Sequence, residues 1–197
     1  MSIYFYVFVI GSIILFSFLA LILSFVLMNY ISKKEINIIP RKKFDLLFKI
    51  VIICLVISVS LIYFWMIPSY GLYQVHNKTD FYKFFVPWMT LILSTGIPVY
   101  LILYELWNFA KTLNNGIFFT EKNSVRLNKV AKLIIFDITC FLIFVWIFGY
   151  LGIGHPGIII YALVIYFIGL SFAVSAMIAS FLFKEASKLK TQIDLTI

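Results

Sequence analysis

The stretch that decides the fold is Leu133–Tyr150, which is LIIFDITCFLIFVWIFGY. Its only charged side chain is Asp137. An α-helix rises about 1.5 Å per residue, so this stretch covers roughly 27 Å, close to the ~30 Å hydrocarbon core of a bilayer. The stretch therefore predicts a membrane-spanning helix.

The composition of the whole chain extends this prediction to the rest of the protein. Hydrophobic residues make up 63% of the 197 residues and charged residues 12%, against roughly 45–50% and 25% in soluble domains. A soluble fold of this size must expose a large share of its residues to water, so it cannot hide that much apolar surface. The composition excludes a soluble domain and favours an integral membrane protein.

Four further apolar runs flank this stretch, and each is long enough to cross a bilayer. We therefore predict an all-α fold: a polytopic helical membrane bundle that forms one transmembrane domain over residues 1–197. Within it, residues 1–43 hold the first span and a basic linker. Residues 44–197 hold the other four spans, with a cytoplasmic loop at about 107–132. The five predicted spans are residues 3–30, 44–67, 84–106, 133–150 and 156–183.

The distribution of basic residues predicts the orientation of these spans. Fourteen Lys and Arg residues lie in the linker after the first span, in the segment after the third span and in the C-terminal tail, whereas two, Lys78 and Lys83, lie on the opposite side. Cytoplasmic loops carry the excess of Lys and Arg. This rule places the N-terminus outside and the C-terminus in the cytoplasm. It also accounts for the net charge of +8 without direct binding of nucleic acid.

The fifth predicted span carries small residues at steps of seven, four, three and four, which place them on one helix face. Small faces let helices approach closely in lipid. We expect this face to pack inside the bundle; the alternative is a homodimer face. The residues are Ala162, Gly169, Ala173, Ala176 and Ser180.

Two acids lie at membrane edges, and both are on the cytoplasmic side in this orientation. Glu105 closes the third span and Asp137 lies one turn into the fourth. Acids inside a membrane are candidates for proton coupling. The alternative is that each snorkels to the interface or pairs with a nearby base such as Lys111 or Lys132. Pro98 is expected to kink the third span near residue 94, which is compatible with a transport site or an ordinary kink.

The sequence shows no catalytic, cofactor-binding or metal-binding pattern. His76, Asp80 and His155 lie on predicted outer loops and are too few and too scattered for a metal centre. Cys54 and Cys140 lie inside apolar runs, where a cysteine behaves as a small buried hydrophobe. We therefore predict no enzyme activity, no cofactor and no metal.

The cytoplasmic segment between the third and fourth spans has its own helix signals. Asn114-Asn115-Gly116 is a helix C-cap signal, and Thr120 is a predicted N-cap for the next helix. Lys122, Arg126 and Lys129 are spaced four and three apart and form a basic face. We expect this face to contact anionic lipid headgroups, with a protein partner as the alternative.

The same segment resembles a known family. Residues 116–127, GIFFTEKNSVRL, are similar to the pattern Gly-x-Pro-Phe-Ser/Thr-x-x-Asn-x-x-Arg-Leu of a bacterial membrane family catalogued as domain of unknown function 2975. Tyr104-Glu105-Leu106 and the tetrapeptide at 194–197 resemble it too. Phe118 departs from the usual proline. The resemblance covers about residues 44–197, and since members typically have four spans, it implies that the first span is an addition.

The family has no assigned activity. Its genes commonly neighbour those of a small helix-turn-helix regulator, so the resemblance implies a membrane protein that holds or modulates a cytoplasmic DNA-binding regulator. The alternative is that the motif fixes the loop, with Thr120 as cap, Asn123 bonding backbone and Phe119 plugging the bundle. The predicted partner-binding residues are Phe119, Thr120, Asn123, Arg126 and Leu127.

The function that follows is that of a small, non-enzymatic, multi-pass regulatory or binding protein of a bacterial cytoplasmic membrane. Its partners would be the lipid bilayer, a DNA-binding regulator or other membrane protein, and a second copy in a homo-oligomer. One alternative is an immunity protein against a membrane-active peptide, since the predicted outer side is rich in aromatic residues such as Trp65, Tyr70 and Trp88. The other is an accessory subunit of a transporter.

Overall fold

The structure is a computed structural model that describes residues 41–69, 72, 82–114, 119–153 and 156–196. Every regular secondary-structure element in these residues is a helix. Helix α1 spans Arg41–Leu61 and runs into a π-helical turn at Ile62–Met66. Helices α2, α3 and α4 follow at Tyr82–Asn114, Glu121–Tyr150 and Pro156–Thr196.

Four helical segments are long and apolar enough to cross a membrane: Phe48–Ser69, Phe85–Thr112, Glu121–Tyr150 and Gly157–Leu189. They coincide with the second to fifth predicted spans. The predicted first span, residues 3–30, lies outside the described residues. The all-helical fold and the membrane-type helices are therefore confirmed, and the count of five spans stays a prediction.

The π-helical turn lies just before Pro68. Proline has no N–H and its ring collides with the carbonyl four residues earlier, so the regular hydrogen-bonding ladder cannot continue across it. The wider π-helical turn keeps the backbone hydrogen-bonded before the proline, because the Ile67 N–H donates to the Ile62 carbonyl, five residues earlier. The helix consequently continues to residue 69, two residues beyond the predicted end of the second span at residue 67.

The last helix is longer than predicted. Helix α4 continues to Thr196, thirteen residues beyond the predicted end at residue 183. The predicted end followed the apolar run alone, whereas the segment after it holds good helix formers and an ion pair of 2.9 Å between Glu185 and Lys188, one turn apart.

Pro98, which was expected to kink the third span, does not interrupt α2, which runs without a break from Tyr82 to Asn114.

Contacts divide the chain into two units, Met1–Ile92 and Leu93–Ile197. In the second unit α3 and α4 run antiparallel, joined by a turn in which Gly152 has a φ of +69°, a conformation that favours glycine. Four buried residues of α3 repeat every seven positions and so share one face. They are Ser124, Ala131, Ile138 and Val145.

The small face of α4 packs against α3. Ala162, Ala173 and Ser180 are buried, and Ala176 is half-buried. A Cβ atom placed on Gly169 would lie 2.7 Å from Cγ2 of Ile138. The spacing of these residues predicted such a packed face. Since α3 already covers it, this face is closed to a second copy of the chain.

Candidate functional site

The candidate site is the helix corner, where α2 ends and α3 begins. Thr120 is the N-cap residue of α3 in this corner. Thr120 has the extended backbone of an N-cap residue, and its Oγ1 accepts the N–H of Asn123 at 3.2 Å. Glu121 follows in the first turn, where a negative charge interacts favourably with the helix dipole. The predicted N-cap is confirmed.

Asn123 is the buried centre of the corner, with 0% of its surface exposed. Its Oδ1 lies 2.9 Å from the Thr112 hydroxyl and accepts from Arg126 Nη1 at 3.2 Å. The Thr112 hydroxyl is also 2.6 Å from the Phe109 carbonyl, and its one proton is donated to one acceptor at a time. The side chain of Asn123 thus joins the last turn of α2 to the first turn of α3.

Arg126 completes this connection. Its Nη1 also donates to the backbone carbonyl of Asn108 at 2.8 Å. Asn108 lies six residues before the end of α2, so its carbonyl also accepts a hydrogen bond within the helix, and the guanidinium is its second donor. Arg126 therefore joins α3 to α2, which is a structural task for a residue predicted to contact a partner.

Glu105 and Lys129 form an ion pair one turn further along, with 2.5 Å between Oε1 and Nζ. The Glu105 side chain is 9% exposed and that of Lys129 is 59% exposed. The sequence analysis allowed each acid to pair with a nearby base and gave Lys111 and Lys132 as examples; the base that pairs with Glu105 is Lys129. The antiparallel register of α2 and α3 places position 129 opposite position 105, and this register could not be derived from sequence spacing.

Removing the Lys129 charge is expected to destabilise the protein because it leaves the Glu105 carboxylate buried without its counter-ion. We expect Lys129→Met to lower the free energy of unfolding by about 1–2 kcal/mol, less than for a fully buried pair because Lys129 is largely exposed. Thermal unfolding in detergent measures this. Lys132→Met, the same change on an exposed lysine of α3, is the control. Equal effects of the two changes would contradict the assigned pairing.

A reciprocal pair of serines joins α3 to α4 at the same end of the unit. Ser124 Oγ donates to the Ser180 carbonyl and Ser180 Oγ donates to the Ser124 carbonyl, each at 2.8 Å. Both residues are buried. Ser180 was predicted from the sequence as a packing residue, but Ser124 was not; the seven-residue spacing of Ser124, Ala131 and Ile138 is the signal that could have identified it.

Three phenylalanine rings pack together at the helix corner. The ring centroid of Phe183 lies 5.7 Å from that of Phe109 and 5.1 Å from that of Phe119, both tilted. Such aromatic pairs are worth roughly 0.5–1.5 kcal/mol each beyond their buried area. Residues from α2, α4 and the loop thus meet at Phe183.

The five predicted partner-binding residues lie in one segment but differ in exposure. Asn123 has no exposed surface, whereas Phe119 is 48% exposed. Thr120, Arg126 and Leu127 are half-buried. Val125 was not among the predicted residues, although it is 61% exposed and neighbours the exposed Lys122 on the same helix face.

The two membrane-edge acids are not brought together. Glu105 is paired with Lys129, and Asp137 is half-buried about 12 Å further along α3. Among the described residues, Asp137 makes no hydrogen bond or ion pair.

No group of three or more His, Cys, Asp or Glu side chains that could hold a metal ion occurs within the described ranges. Cys54 and Cys140 are free thiols and half-buried. His76, Asp80 and His155 lie outside these ranges.

Comparison with known proteins identifies the family. Residues 72–197 match the family described as Protein of unknown function (DUF2975). This range is shorter than the resemblance inferred from residues 44–197, and it leaves out α1. No curated protein and no solved structure matches the chain. Because the match covers well over half of the chain and the whole of the helix corner, the protein belongs to the DUF2975 family.

Proposed function

We propose that the protein is a small, non-enzymatic integral membrane protein whose cytoplasmic helix corner binds a regulatory partner, such as a helix-turn-helix protein. The observation that carries the proposal is the exposure of Phe119 and Val125 on a segment otherwise fixed by the buried side chain of Asn123. A surface held rigid before binding loses little entropy when it binds.

The depth of the corner supports a partner in water over a lipid. On α3 the apolar run begins at Leu133, so we place the edge of the hydrocarbon there. Val125 and Lys122 then lie about 12 Å and 16 Å beyond that edge, whereas the headgroup layer is roughly 5–7 Å thick. Lys129 and Lys132 lie within the headgroup layer. We therefore assign Lys132 to lipid headgroups, and Phe119, Lys122 and Val125 to the partner, while Lys129 is the counter-ion of Glu105.

The orientation belongs to the same proposal. We place the protein in a bacterial cytoplasmic membrane with five spans, the N-terminus outside and the C-terminus inside. The support is the bias of basic residues toward one side and the four membrane-type helices. In this orientation the corner faces the cytoplasm.

The double change Lys122→Glu and Val125→Asp is expected to abolish partner binding, because it places two negative charges on the proposed docking surface. Affinity purification from native membranes in mild detergent, followed by mass spectrometry, measures the partner that remains bound. We expect at least a tenfold loss, with the thermal unfolding temperature unchanged because both side chains are exposed.

The matched control is Lys132→Glu, a charge reversal on α3 at a position about 15 Å closer to the membrane than Lys122. It should leave the bound partner unchanged. A partner that stays bound to the double variant, or one that is lost equally from the control, would show that the corner is not the docking surface. Recovery of the wild-type protein without a partner would also count against the proposal.

A further inference from the structure

Four basic side chains lie on one side of the α2–α3 pair at the helix corner. The Thr112 hydroxyl is 2.9 Å from Asn123 Oδ1, and Lys111 and Lys122 each precede one of these residues. Because the two helices face each other and run antiparallel, one step back along each turns to the same side of the pair. Two further basic residues follow Lys122 along α3 at steps of four and three, on the same helix face. This basic cluster consists of Lys111, Lys122, Arg126 and Lys129.

The described residues leave much of the positive charge of the basic cluster unbalanced. Glu105 is paired with Lys129. Lys111 and Lys122 are exposed and make no hydrogen bond or ion pair within the described part of the chain, and the exposed Glu121 makes no ion pair there either. Cations held close together repel one another, and together they attract an approaching anion. The basic cluster therefore favours an occupant of negative charge.

The outer part of the basic cluster lies beyond the lipid headgroups. Helix α3 has 30 residues and is about 45 Å long, roughly 15 Å longer than the hydrocarbon core is thick. All its charged residues except Asp137 lie in its first twelve positions, so this end extends into water. With the hydrocarbon edge at Leu133, Lys122 lies about 16 Å beyond it and Lys111 about 13 Å beyond it. The headgroup layer is roughly 5–7 Å thick, so lipid phosphates do not neutralise these two lysines.

The chain itself has no acidic segment that could cover the basic cluster. The linker at residues 31–43 holds five Lys or Arg residues and one acid, and the tail after residue 183 holds three lysines and two acids. No two of the eight acids of the chain are closer than nine positions in sequence. A second copy would bring the same positive cluster and would be repelled. The occupant that complements this charge is therefore a different molecule.

Apolar surface inside the basic cluster favours a protein over a nucleic acid. Val125 is 61% exposed and lies between Lys122 and Lys129 on one face of α3. A phosphate backbone offers this valine no apolar contact, whereas an amphipathic protein segment places apolar and acidic side chains on neighbouring faces.

We propose that the partner docks on the helix corner through an acidic amphipathic segment. Its carboxylates pair with Lys111 and Lys122, an apolar side chain packs against Val125, and Lys129 stays with Glu105. Complementary charge sets the register of such a contact and speeds association. This chemistry rests on the proposed function, because it describes the partner that docks at the corner, and it adds Lys111 of α2 to the docking surface.

Binding of defined peptides to the full-length protein in phosphatidylcholine nanodiscs tests this chemistry, because this lipid adds no net charge. The acidic probe is a fluorescent peptide of about 20 residues that forms an amphipathic helix, with leucine on one face and glutamate on the other. The neutral probe has glutamine in place of every glutamate. Fluorescence anisotropy measures the dissociation constants. We expect the acidic probe to bind about tenfold more tightly than the neutral probe, or better.

Removing single charges separates the basic cluster from the other lysines of the protein. Lys111→Gln should weaken binding of the acidic probe about threefold, and Lys111→Gln combined with Lys122→Gln about tenfold. Neither variant should change binding of the neutral probe. The matched control is Lys132→Gln, which removes an exposed lysine from a position on α3 about 15 Å closer to the membrane than Lys122. It should leave binding of both probes unchanged.

Four results would overturn the acidic partner. Equal binding of the two probes would show that apolar contact alone holds the peptide. Equal effects of Lys111→Gln and Lys132→Gln would show a general attraction to the net charge of the protein. A DNA duplex of about 20 base pairs that binds more tightly than the acidic probe would indicate a surface for nucleic acid. No binding of the acidic probe would also contradict the proposal.

Docking itself is scored separately, by the Lys122→Glu and Val125→Asp double variant in native membranes. A partner that is lost from the double variant, while the probes show no dependence on charge, would overturn the acidic chemistry and leave the docking role of the corner intact. A partner that stays bound to the double variant would overturn both.

Discussion

Replacing Asn123 with alanine is expected to lower the free energy of unfolding by about 2–3 kcal/mol. The loss arises because Asn123 is fully buried and its Oδ1 accepts from Arg126 and lies 2.9 Å from the Thr112 hydroxyl. Without it, the half-buried guanidinium of Arg126 loses one of its two acceptors. Thermal or denaturant unfolding in detergent measures the change.

Two variants separate the hydrogen bonds from the residue type. Asn128→Ala removes the same side chain from a half-buried position on α3, where it makes no hydrogen bond within the described part of the chain, and should cost less than about 0.5 kcal/mol. Asn123→Asp keeps the acceptor beside Arg126 and should retain more stability than Asn123→Ala. If Asn123→Ala were no worse than Asn128→Ala, the buried connection between α2 and α3 would be wrong.

Replacing Gly169 with alanine is expected to cost about 1–3 kcal/mol, because the added methyl group overpacks the α3–α4 contact. Its Cβ would lie 2.7 Å from Cγ2 of Ile138. That methyl is attached to a β-branched side chain, which is stiff at χ1 and cannot swing away. Gly149→Ala is the matched control: its Cβ would lie 3.2 Å from Cδ1 of Ile159, the far end of a flexible side chain.

Shortening Ile138 should relieve the clash. In a double-mutant cycle, Gly169→Ala combined with Ile138→Ala should cost less than the sum of the two single changes, with a coupling of about 1 kcal/mol or more. Strict additivity would mean that α3 and α4 do not meet at these two residues. A Gly149→Ala variant as damaging as Gly169→Ala would point to a general intolerance of alanine at helix glycines.

The parts of the fold that local chemistry controls could be predicted from the sequence. Four of the five predicted spans coincide with helices because span prediction needs only the length and polarity of a run. The Thr120 cap was also predictable, since the preference for threonine at the N-cap arises from a hydrogen bond to a neighbouring backbone N–H. The small face of α4 followed from helical spacing alone.

The parts that depend on the register between helices could not be predicted. Arg126 and Lys129 share a basic face with Lys122, and spacing could not reveal that the first two bond to α2 while Lys122 stays exposed. For the same reason Asn123 was predicted as a partner-binding residue, although it is the buried centre of the corner. The exposed Val125 beside it was overlooked.

The central claim is that the exposed side of the helix corner docks a cytoplasmic partner while the buried side holds it rigid. Photocross-linking in living cells tests this most directly, with a photoreactive amino acid placed at Val125 and, as the control, at Lys132. The proposal predicts one discrete cross-linked protein from position 125 and predominantly lipid adducts from position 132. Lipid adducts alone from position 125, or the same protein from both positions, would contradict it.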